Sequence, residues 1–541
     1  MYVRIKRVKN SKGELREYLL VVEGKRIQGK VRQRTIANLG RLDLIQNTQI
    51  SDLLIDKLKD YTKILRLMDI AKTCCDWSKD YGVILVLKRL WEDLSLDQLF
   101  KIYLKKYKYK TNLSECILSL VISRLTSPGS EYHTFKWIQS VYEPKWEDFK
   151  LQHFYRALDF IYRHKSDLEK DLFFKMTNLF SQELDLIMFD TTSIKYWGEA
   201  EDIDILQYGY SKEKRGDLKQ VIIGILMTKE GIPCGCEVFK GNTSDLKSFI
   251  HILEKLKEEY KIGKLIWVAD RGMVSTENIS KLNELNQQYI LGIKMRQLNK
   301  ERRDEFLSLK GMFPVSEDLY AKEVIIPYEG RYIICFNPKE QELERKKREF
   351  FKKVLEKKIE TQTTKEWIIK NGYRKYIDIT EGKIELNEKR LRAEYQFDGK
   401  WVLLTNTKLP SKEVALYYKD LWQIEASFRD LKDDLETSPI YHWTERRIIA
   451  HIFICFLSLL LKIAFNKRLK QIDKQACYSE VFAATNQIKA VKLTEGRKEI
   501  IFRTEFPPKA NLAFKATGIA PPPRIISYKE NPSVVSRQGE F

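Results

Sequence analysis

The sequence predicts an α/β protein whose core is a mixed β-sheet flanked by helices. Three observations lead to this prediction. Four short apolar segments between residues 184 and 269 have the length of strands, and an amphipathic helix separates the third from the fourth. A densely charged stretch then interrupts the pattern before a second helical region. Basic strand-like and helical segments precede the core, which predicts an N-terminal DNA-binding region.

Composition limits the class of protein. The 541 residues carry 96 Lys and Arg against 75 Asp and Glu, a formal net charge of +21, and 43% are hydrophobic. A chain of this length and apolar content supports three or four folded domains, which excludes general disorder. Eight cysteines without regular spacing favour reduced thiols in a cytoplasmic protein.

No membrane segment or signal peptide is predicted. The N-terminus alternates apolar and basic residues and contains no continuous apolar stretch. The longest apolar run, Ile448–Leu461, falls short of the roughly 20 residues that span a bilayer. We interpret it as a buried core helix.

Residues 1–45 are predicted to form a basic β-ribbon. Met1–Leu42 contains 12 basic and 3 acidic residues on the strand-like segments Tyr2–Val8 and Glu17–Ile27. Such a ribbon can bind the phosphate backbone, and Arg4, Lys6 and Arg7 are its candidate contacts. A solvated charged face is the alternative.

Residues 46–175 are predicted to be a helical DNA-binding domain. Apolar residues recur every three or four positions, for example from Leu85 to Leu94, until Ser127–Gly129 breaks the period. Aromatic and basic residues alternate in Tyr103–Tyr109, which suits either DNA contact or the edge of an amphipathic helix.

Residues 176–296 are predicted to hold the first part of the core. The predicted strands are Leu184–Phe189, Gln220–Met227, Cys234–Phe239, Lys264–Ala269 and Gln288–Met295, and the predicted helix is Asp245–Tyr260. The first three strands should be antiparallel, whereas the fourth returns through the helix and can pair in parallel with the first.

Residues 297–400 are predicted to be a β-rich insertion, which also contains the charged helical run Glu340–Glu360. Residues 401–470 should complete the core with a helix that begins near Ser411. Residues 471–541 contain many prolines, and we expect an irregular tail there that wraps over a surface or is partly disordered.

Two aspartates follow predicted strands of the core. Asp190 comes directly after the first strand, and Asp270 after the fourth. Because neighbouring parallel strands end at the same edge of a sheet, both carboxylates should meet there. Each aspartate alone has an alternative explanation, since aspartates often cap the next helix or close a turn.

The later helix offers a third acid. Tyr418, Glu425 and Lys432 are spaced seven residues apart, which places them on one side of a helix, and Arg429 lies nearby. A surface ladder of ion pairs is the alternative.

Three acids in so basic a protein suggest bound cations. Carboxylates repel phosphodiesters unless cations lie between them, and Asp and Glu oxygens are ligands that Mg²⁺ or Mn²⁺ prefer. Two such ions, about 3.5–4 Å apart, can activate a water or a 3′-hydroxyl for in-line displacement.

Together these residues resemble the DDE transposases of bacterial insertion sequences, which have an RNase H-like core. Asp190, Asp270 and Glu425 correspond to the acidic triad, and Tyr418, Glu425 and Lys432 match the signature Y-x2-R-x3-E-x6-K. The resemblance implies that Tyr418 and Lys432 orient DNA phosphates. Leu421 stands where the signature has Arg, which removes one expected phosphate contact, and Arg429 is the candidate substitute. Trp422 resembles a family tryptophan that holds an unstacked base, with core packing as the alternative.

The resemblance implies a Mg²⁺-dependent transposase that nicks the element's ends and joins the freed 3′-hydroxyls to target DNA. Its partners would be terminal inverted repeats, target DNA and a second copy of the chain in a homodimer. A stand-alone nuclease on the same core and an inactive DNA-binding regulator are the alternatives. The regulator would need none of the three acids.

Overall fold

The structure is a computed structural model that describes residues 2–9, 15–27, 30–43, 74–109, 112–177, 186–199, 202–210, 216–297, 300–327, 330–360, 376–380 and 383–530. The chain divides into two compact units. One comprises residues 1–80, 487–506 and 522–541, and the other comprises residues 81–486 and 507–521.

The N-terminal part of the first unit is a three-stranded antiparallel sheet. Its strands are β1 (Tyr2–Lys9), β2 (Leu15–Ile27) and β3 (Lys30–Arg41), in that order. Both strands predicted within residues 1–45 are confirmed, and β3 is a third. The apolar repeat expected between residues 46 and 73 lies outside the described residues, and the chain continues with β4 (Cys74–Asp80).

A helical region opens the second unit, as predicted. Its helices are α1 (Gly82–Asp93), α2 (Leu96–Lys106), α3 (Leu113–Thr126), α4 (Glu131–Trp137) and α5 (Leu151–Thr177). The end of α3 at Thr126 confirms the predicted break. Tyr103, within α2, is buried and its hydroxyl donates to Asp171 (2.8 Å), so this segment is the edge of an amphipathic helix.

The core sheet has the predicted arrangement of strands. Its elements are β5 (Leu186–Lys195), β6 (Gln220–Thr228), β7 (Pro233–Lys240), α6 (Asp245–Glu258), β8 (Ile266–Ala269), α7 (Thr276–Glu284) and β9 (Gln288–Ile293). Strands β5, β6 and β7 pair antiparallel, whereas β5, β8 and β9 pair in parallel. The predicted apolar face of α6, including Phe249 and Ile252, is buried against the sheet.

The insertion extends the core sheet. Its elements are α8 (Lys300–Leu307), β10 (Phe313–Ser316), β11 (Leu319–Ile326), β12 (Gly330–Phe336), α9 (Pro338–Glu360), β13 (Ile377–Thr380), β14 (Lys383–Leu386), α10 (Glu388–Glu394) and β15 (Lys400–Thr405). β15 pairs antiparallel with β9, and the resulting sheet has the order β10-β11-β12-β15-β9-β8-β5-β6-β7. Strands β10, β11, β12 and β15 therefore continue the core sheet beyond the edge of β9.

Three helices complete the core: α11 (Ser411–Lys419), α12 (Trp422–Arg429) and α13 (Glu445–Ile472). Among the described residues, α13 is the one helix long and apolar enough to cross a membrane. However, 89% of its apolar window is buried inside the protein. Helices α3 and α5 and strand β7 pack against it, which agrees with the interpretation of Ile448–Leu461 as a core helix.

The C-terminal region is folded where the structure describes it. It contains α14 (Tyr478–Asn486), β16 (Lys489–Glu495), β17 (Lys498–Arg503), α15 (Ala510–Thr517) and β18 (Ile525–Glu530). The expected irregular tail is thus wrong up to residue 530. Gly496, with a positive φ of 57°, lies in the tight β16–β17 turn, and prolines flank α15 rather than interrupt it.

In the first unit these C-terminal strands form an antiparallel sheet with β4, in the order β18-β17-β16-β4. The sheet pairs residues from both ends of the chain. The predicted boundaries at residues 45 and 471 therefore do not separate independent compact units.

Candidate active site

Asp190 and Asp270 come directly after the last residue pair in the parallel ladder between β5 and β8. That pair is Phe189 and Ala269, and in both segments the next residue is an aspartate. The prediction that both follow their strands is correct for Asp270. It is wrong for Asp190, because β5 continues through antiparallel pairing with β6 as far as Lys195. Asp190 therefore lies where the parallel pairing of β5 ends.

Neither aspartate caps a helix. Asp270 precedes a short 3₁₀ turn, but its side chain makes no capping hydrogen bond to that turn. Asp190 Oδ1 accepts the backbone N–H of Thr191 (2.7 Å), and the Thr191 hydroxyl donates to Asp245 Oδ1 (2.5 Å). Asp190 thus lies within a strand, and the following residue, Thr191, is hydrogen-bonded to the first residue of α6.

Tyr418 holds Asp270. Its hydroxyl donates to Asp270 Oδ1 (2.9 Å), and burial, followed by the charge of Asp270, raises the pKa of the phenol, so that it remains a donor. The family resemblance implies that Tyr418 contacts DNA phosphates, whereas in the structure its hydroxyl donates to Asp270.

Gly292 on β9 makes this contact possible. A Cβ atom at Gly292 would lie 2.2 Å from the Tyr418 hydroxyl oxygen, well inside ordinary contact distance. Gly292 follows Leu291, which pairs with Ala269, so it lies beside Asp270. Only glycine leaves the phenol room to reach the carboxylate at this position.

The predicted single helix carrying Tyr418, Glu425 and Lys432 is wrong. α11 ends at Lys419, α12 begins at Trp422, and a π-helical turn follows at Asp430–Asp434. At the break, Leu421 N–H bonds to the Tyr418 carbonyl (3.2 Å) and Ile424 N–H bonds to the Leu421 carbonyl (3.0 Å). These bonds span three residues instead of four, so the turn is tighter than an α-helix and changes the helical phase.

Burial of one face of α12 orients Glu425. Ile424, Ser427 and Phe428 are buried, whereas Glu425 is exposed on the opposite side. Ser427 Oγ lies 3.8 Å from Met227 Sδ on β6, which fixes the helix against the sheet. In the described part of the chain no ion pair joins Glu425 to Arg429.

The three acids line one cavity of about 370 Å³. Its lining residues are Asp190, Asp270, Glu340, Trp401, Tyr418, Lys419, Leu421, Trp422 and Glu425. Asp190 comes from β5, Asp270 from the end of β8 and Glu425 from α12. The structure thus brings together residues that lie 80 and 155 positions apart in the sequence.

The cavity contains a fourth acid, Glu340, that is not part of the predicted triad. Glu340, from the first turn of α9, lines it, and partial burial, followed by the charge of Glu344, raises its pKa. No sequence feature distinguishes Glu340 from the other acids of this charged helix. Lys419 is the one cation among the lining residues, so the cavity is predominantly acidic.

A second, basic cavity of about 600 Å³ adjoins the first and shares Asp270, Trp401, Tyr418 and Glu425 with it. Its cations are Arg271, Lys294, Arg296, Arg348 and Lys400. Three of them have internal partners: Arg296 bonds to Glu394 (2.6 Å), Arg348 bonds to Asp398, and Lys400 donates to the Leu307 carbonyl (2.7 Å).

The two remaining cations of this cavity are exposed. Arg271 and Lys294 form no ion pair with a described residue. Neither cation belongs to the predicted site, although Arg271 directly follows an acid of the predicted triad. Their side chains are available for an anionic ligand next to the acidic cavity.

The other predicted DNA contacts are dispersed. Trp422 lines the acidic cavity and is mostly exposed, so core packing does not explain it. Arg429 is exposed and Lys432 is half-buried, and neither lines the cavity.

On β1, Arg4, Lys6 and Arg7 are exposed. Arg4 contacts Gln33, and Arg7 Nε lies 2.7 Å from Glu17 Oε1. The structure gives these residues no contact that assigns them a role, and their binding to DNA stays a prediction.

Comparison with known proteins identifies the class. The chain belongs to the DDE transposases, because residues 181–461, just over half of its length, match the family described as Transposase DDE domain. This range includes Asp190, Asp270 and Glu425. Residues 3–66 match the N-terminal domain of the IS1634 family transposases. The protein is therefore an insertion-sequence transposase, as the sequence predicted.

Other comparisons add little. One structural match is titled "Cryo-EM structure of piggyBac transposase synaptic complex with hairpin DNA (SNHP)". It is 8% identical, covers 75% of this chain and 77% of that chain, and has a TM-score of 0.35. At this score the match carries no argument about the site. No curated protein matches the chain.

Proposed function

We propose that this transposase cuts the ends of its element and joins them to target DNA at an RNase H-like active site. Asp190, Asp270 and Glu425 would be its catalytic acids. The observation that carries the proposal is their convergence on one cavity from two neighbouring parallel strands and a separate helix. The strand order β7-β6-β5-β8-β9, in which β6 runs antiparallel to the other four strands, supports the RNase H-like assignment.

The donor set fits divalent cations. Carboxylate oxygens are hard ligands that suit Mg²⁺ and Mn²⁺, and so few protein ligands leave coordination positions for water and phosphate oxygens. Among the described residues, the group of metal-ligating atoms that lie within 4.8 Å of one another is Glu131, His442 and His451, which does not line this cavity. Two ions about 3.5–4 Å apart would share the carboxylates of the triad.

The reaction is a pair of phosphoryl transfers. In the first, a water oxygen attacks a phosphorus atom at the element's end and the bond to the 3′-oxygen breaks, leaving a 3′-hydroxyl. In the second, this hydroxyl attacks a target phosphodiester, and a target 3′-hydroxyl leaves. Bound cations would lower the pKa of the attacking group and stabilise the leaving oxygen.

The chain's own residues orient and hold the reactants. Tyr418 fixes one oxygen of Asp270 and leaves the other for a ligand. Arg271 and Lys294, in the basic cavity beside the acids, would hold phosphate oxygens of the strand being cut. Trp422 would contact a base at the cavity's edge.

Recognition of the element would use other parts of the chain. The basic strand β1 and the helical region would bind the terminal inverted repeats, with Arg4, Lys6 and Arg7 as phosphate contacts. Joining requires that both ends of the element are held together, so the proposed active form is a homodimer on DNA. The proposed location is the cytoplasm, on the nucleoid.

The decisive experiment uses a labelled duplex that carries a terminal repeat. Asp190→Ala, Asp270→Ala and Glu425→Ala should each abolish nicking while leaving DNA affinity largely intact, because these side chains serve the chemistry. Glu277→Ala, which removes an exposed acid of α7 that lines neither cavity, is the matched control. Strand transfer at the wild-type rate in any triad variant would refute the assignment.

The same assay separates the alternative functions. A stand-alone nuclease would cut the labelled duplex without producing joined target DNA. A DNA-binding regulator would bind without cutting.

A further inference from the structure

A buried hydrogen bond joins β5 to α6 directly behind Asp190. Thr191, the next residue, is buried, and its hydroxyl donates to Asp245 Oδ1 (2.5 Å). Successive side chains of a strand point to opposite faces of the sheet, so Thr191 lies on the face away from the Asp190 carboxylate. Asp245 lines neither the acidic nor the basic cavity. The bond therefore acts on the backbone that carries Asp190 rather than on the cavity itself.

The second oxygen of the same carboxylate lies at the turn that follows Asp270. This 3₁₀ turn is Arg271–Met273, and a Cβ atom added at Gly272 would be 3.3 Å from Asp245 Oδ2. Asp245 Oδ2 therefore lies against the backbone of the turn. One carboxylate thus borders both segments that carry the aspartates of the proposed triad.

A second buried side chain ties the same turn to α6. Asn278 on α7 is fully buried, and its Nδ2 donates to the carbonyl of Met273 (2.7 Å), the last residue of the turn. The same nitrogen lies 3.5 Å from the carbonyl oxygen of Leu246, which follows Asp245. Asn278 thus links the turn after Asp270 to the first turn of α6.

The start of α6 is itself held in place. Ser244 caps the helix by accepting the backbone N–H of Lys247, and Phe249 and Ile252 are buried in the core. A carboxylate at Asp245 is favoured because the N-terminus of a helix carries a partial positive charge. Asp245 is therefore fixed by its helix and can in turn fix what it contacts.

The sheet alone does not hold the two aspartates together. The parallel ladder of β5 and β8 ends at Phe189 and Ala269, one residue before each aspartate. From there β5 continues along β6, whereas Asp270 leads into the 3₁₀ turn. A link beyond the ladder is needed, because two cations that share carboxylates lie about 3.5–4 Å apart and such sites tolerate errors of only about 0.5 Å.

We propose that Asp245 is a positioning residue that sets the separation of Asp190 and Asp270. It acts on Asp190 through Thr191 and on Asp270 through the 3₁₀ turn, which α7 also holds. This inference rests on the proposed function, since it takes the two aspartates as cation ligands. Asp245 itself would contact neither the cations nor the DNA.

The test measures Mn²⁺ binding by the full-length protein in complex with terminal-repeat DNA, using electron paramagnetic resonance of the free ion. Thr191→Val removes the hydroxyl at nearly constant shape, and Asp245→Ala removes its acceptor. Each should raise the Mn²⁺ dissociation constant about 10- to 100-fold, the usual cost of losing a residue that orients a metal ligand. Because both variants break one bond, the double variant should bind Mn²⁺ about as weakly as Asp245→Ala.

Conservative variants separate positioning from packing. Thr191→Ser keeps the donor and Asp245→Asn keeps an acceptor oxygen, so both should bind Mn²⁺ with nearly wild-type affinity. Thr485→Val is the matched control, because it removes another buried hydroxyl, bonded to the Val481 carbonyl (2.7 Å), from a helix outside both cavities. It should lower the melting temperature about as much as Thr191→Val does and leave Mn²⁺ affinity unchanged.

Wild-type Mn²⁺ affinity in folded Thr191→Val or Asp245→Ala would overturn the inference. So would an equal loss of affinity in Thr485→Val, or a loss in Thr191→Ser as large as that in Thr191→Val. Should Thr191→Val not fold, Asp245→Ala decides the question, because Asp245 is only half-buried.

The outcome is separable from the proposed function. If the wild type binds Mn²⁺ and cuts the terminal-repeat duplex but Thr191→Val and Asp245→Ala bind Mn²⁺ like the wild type, only the inference about Asp245 fails. If the wild type binds no Mn²⁺ and cuts no duplex, the proposed function fails.

Discussion

The contact between Tyr418 and Asp270 can be tested from the neighbouring strand, without changing either partner. Gly292→Ala adds a Cβ atom 2.2 Å from the Tyr418 hydroxyl oxygen, whereas ordinary contact begins near 3.4 Å. The hydroxyl must therefore retreat by about 1.2 Å. Its bond to Asp270, now 2.9 Å, would then exceed the length of a hydrogen bond.

The expected cost follows from the role of such bonds. Removing a hydrogen bond that orients a metal-binding carboxylate typically lowers metal affinity or activity by about 10- to 100-fold. Gly292→Ala and Tyr418→Phe should each raise the Mn²⁺ concentration that gives half-maximal cleavage by about this factor. Because both act through one bond, the double variant should be little worse than either single variant.

The assay combines Mn²⁺ titration of cleavage with electron paramagnetic resonance of free Mn²⁺, which reports binding without catalysis. Gly263→Ala, where an added Cβ meets nothing within 4 Å, is the matched control. A folded Gly292→Ala protein with wild-type Mn²⁺ dependence would refute the argument. Fully additive losses in the double variant would also refute it.

Three further predictions concern charge, pH and backbone geometry. Lys294→Ala should lower the slope of log affinity against log salt concentration by about 0.9, because one phosphate contact is lost. Fluorescence anisotropy measures this slope, and an unchanged slope would show that Lys294 does not contact DNA phosphates. Burial and then Arg124 lower the pKa of His451 from 6.5 to about 3, and His442, with its neighbours, overcomes burial to lower that of Glu131 from 4.5 to about 2. Both pKa values are depressed in the folded state, so the stability that these groups contribute is complete above pH 6.5 and is lost as the pH falls towards 2. Between pH 6.5 and 3 the melting temperature of His451→Gln should therefore fall less than that of the wild type. An equal fall in both proteins would refute the depressed pKa of His451. Gly231→Ala should destabilise the protein by about 1–2 kcal/mol in denaturant unfolding, because its positive φ of 68° disfavours a side chain and the new Cβ would meet Gln423; wild-type stability would contradict this.

The strands of the core could be predicted because each is an apolar run of the right length between turn residues. The parallel pairing of β5 with β8 followed from the helix between them, and it placed Asp190 near Asp270 correctly. The end of β5 was missed because Thr191 to Ser193 resemble a turn in sequence. In the structure these polar side chains are buried in a strand that continues to pair with β6.

The third acid was predicted from a helical period that the structure does not keep. Spacing alone placed Tyr418 and Glu425 together, and both do line the cavity despite the break at Leu421. Lys432 does not line it, because a tight turn and then a π-helical turn change the phase of the helix. Backbone hydrogen bonds that span three or five residues leave no regular mark in a sequence.

Contacts between distant strands account for what the sequence could not show. Glu340 enters the acidic cavity on α9, which follows β12 of the insertion, and the insertion's pairing with β9 depends on a free sheet edge rather than on any motif. The role of Gly292 likewise appears only when Tyr418 is seen beside it.

The central claim is that Asp190, Asp270 and Glu425 together hold the cations that cut DNA. The most direct measurement is the number of Mn²⁺ ions bound by the complex with terminal-repeat DNA, determined by electron paramagnetic resonance. The account predicts about two ions for each active site in the wild type and a lower number in Asp190→Asn, Asp270→Asn and Glu425→Gln. Wild-type stoichiometry and affinity in any of the three variants would contradict it.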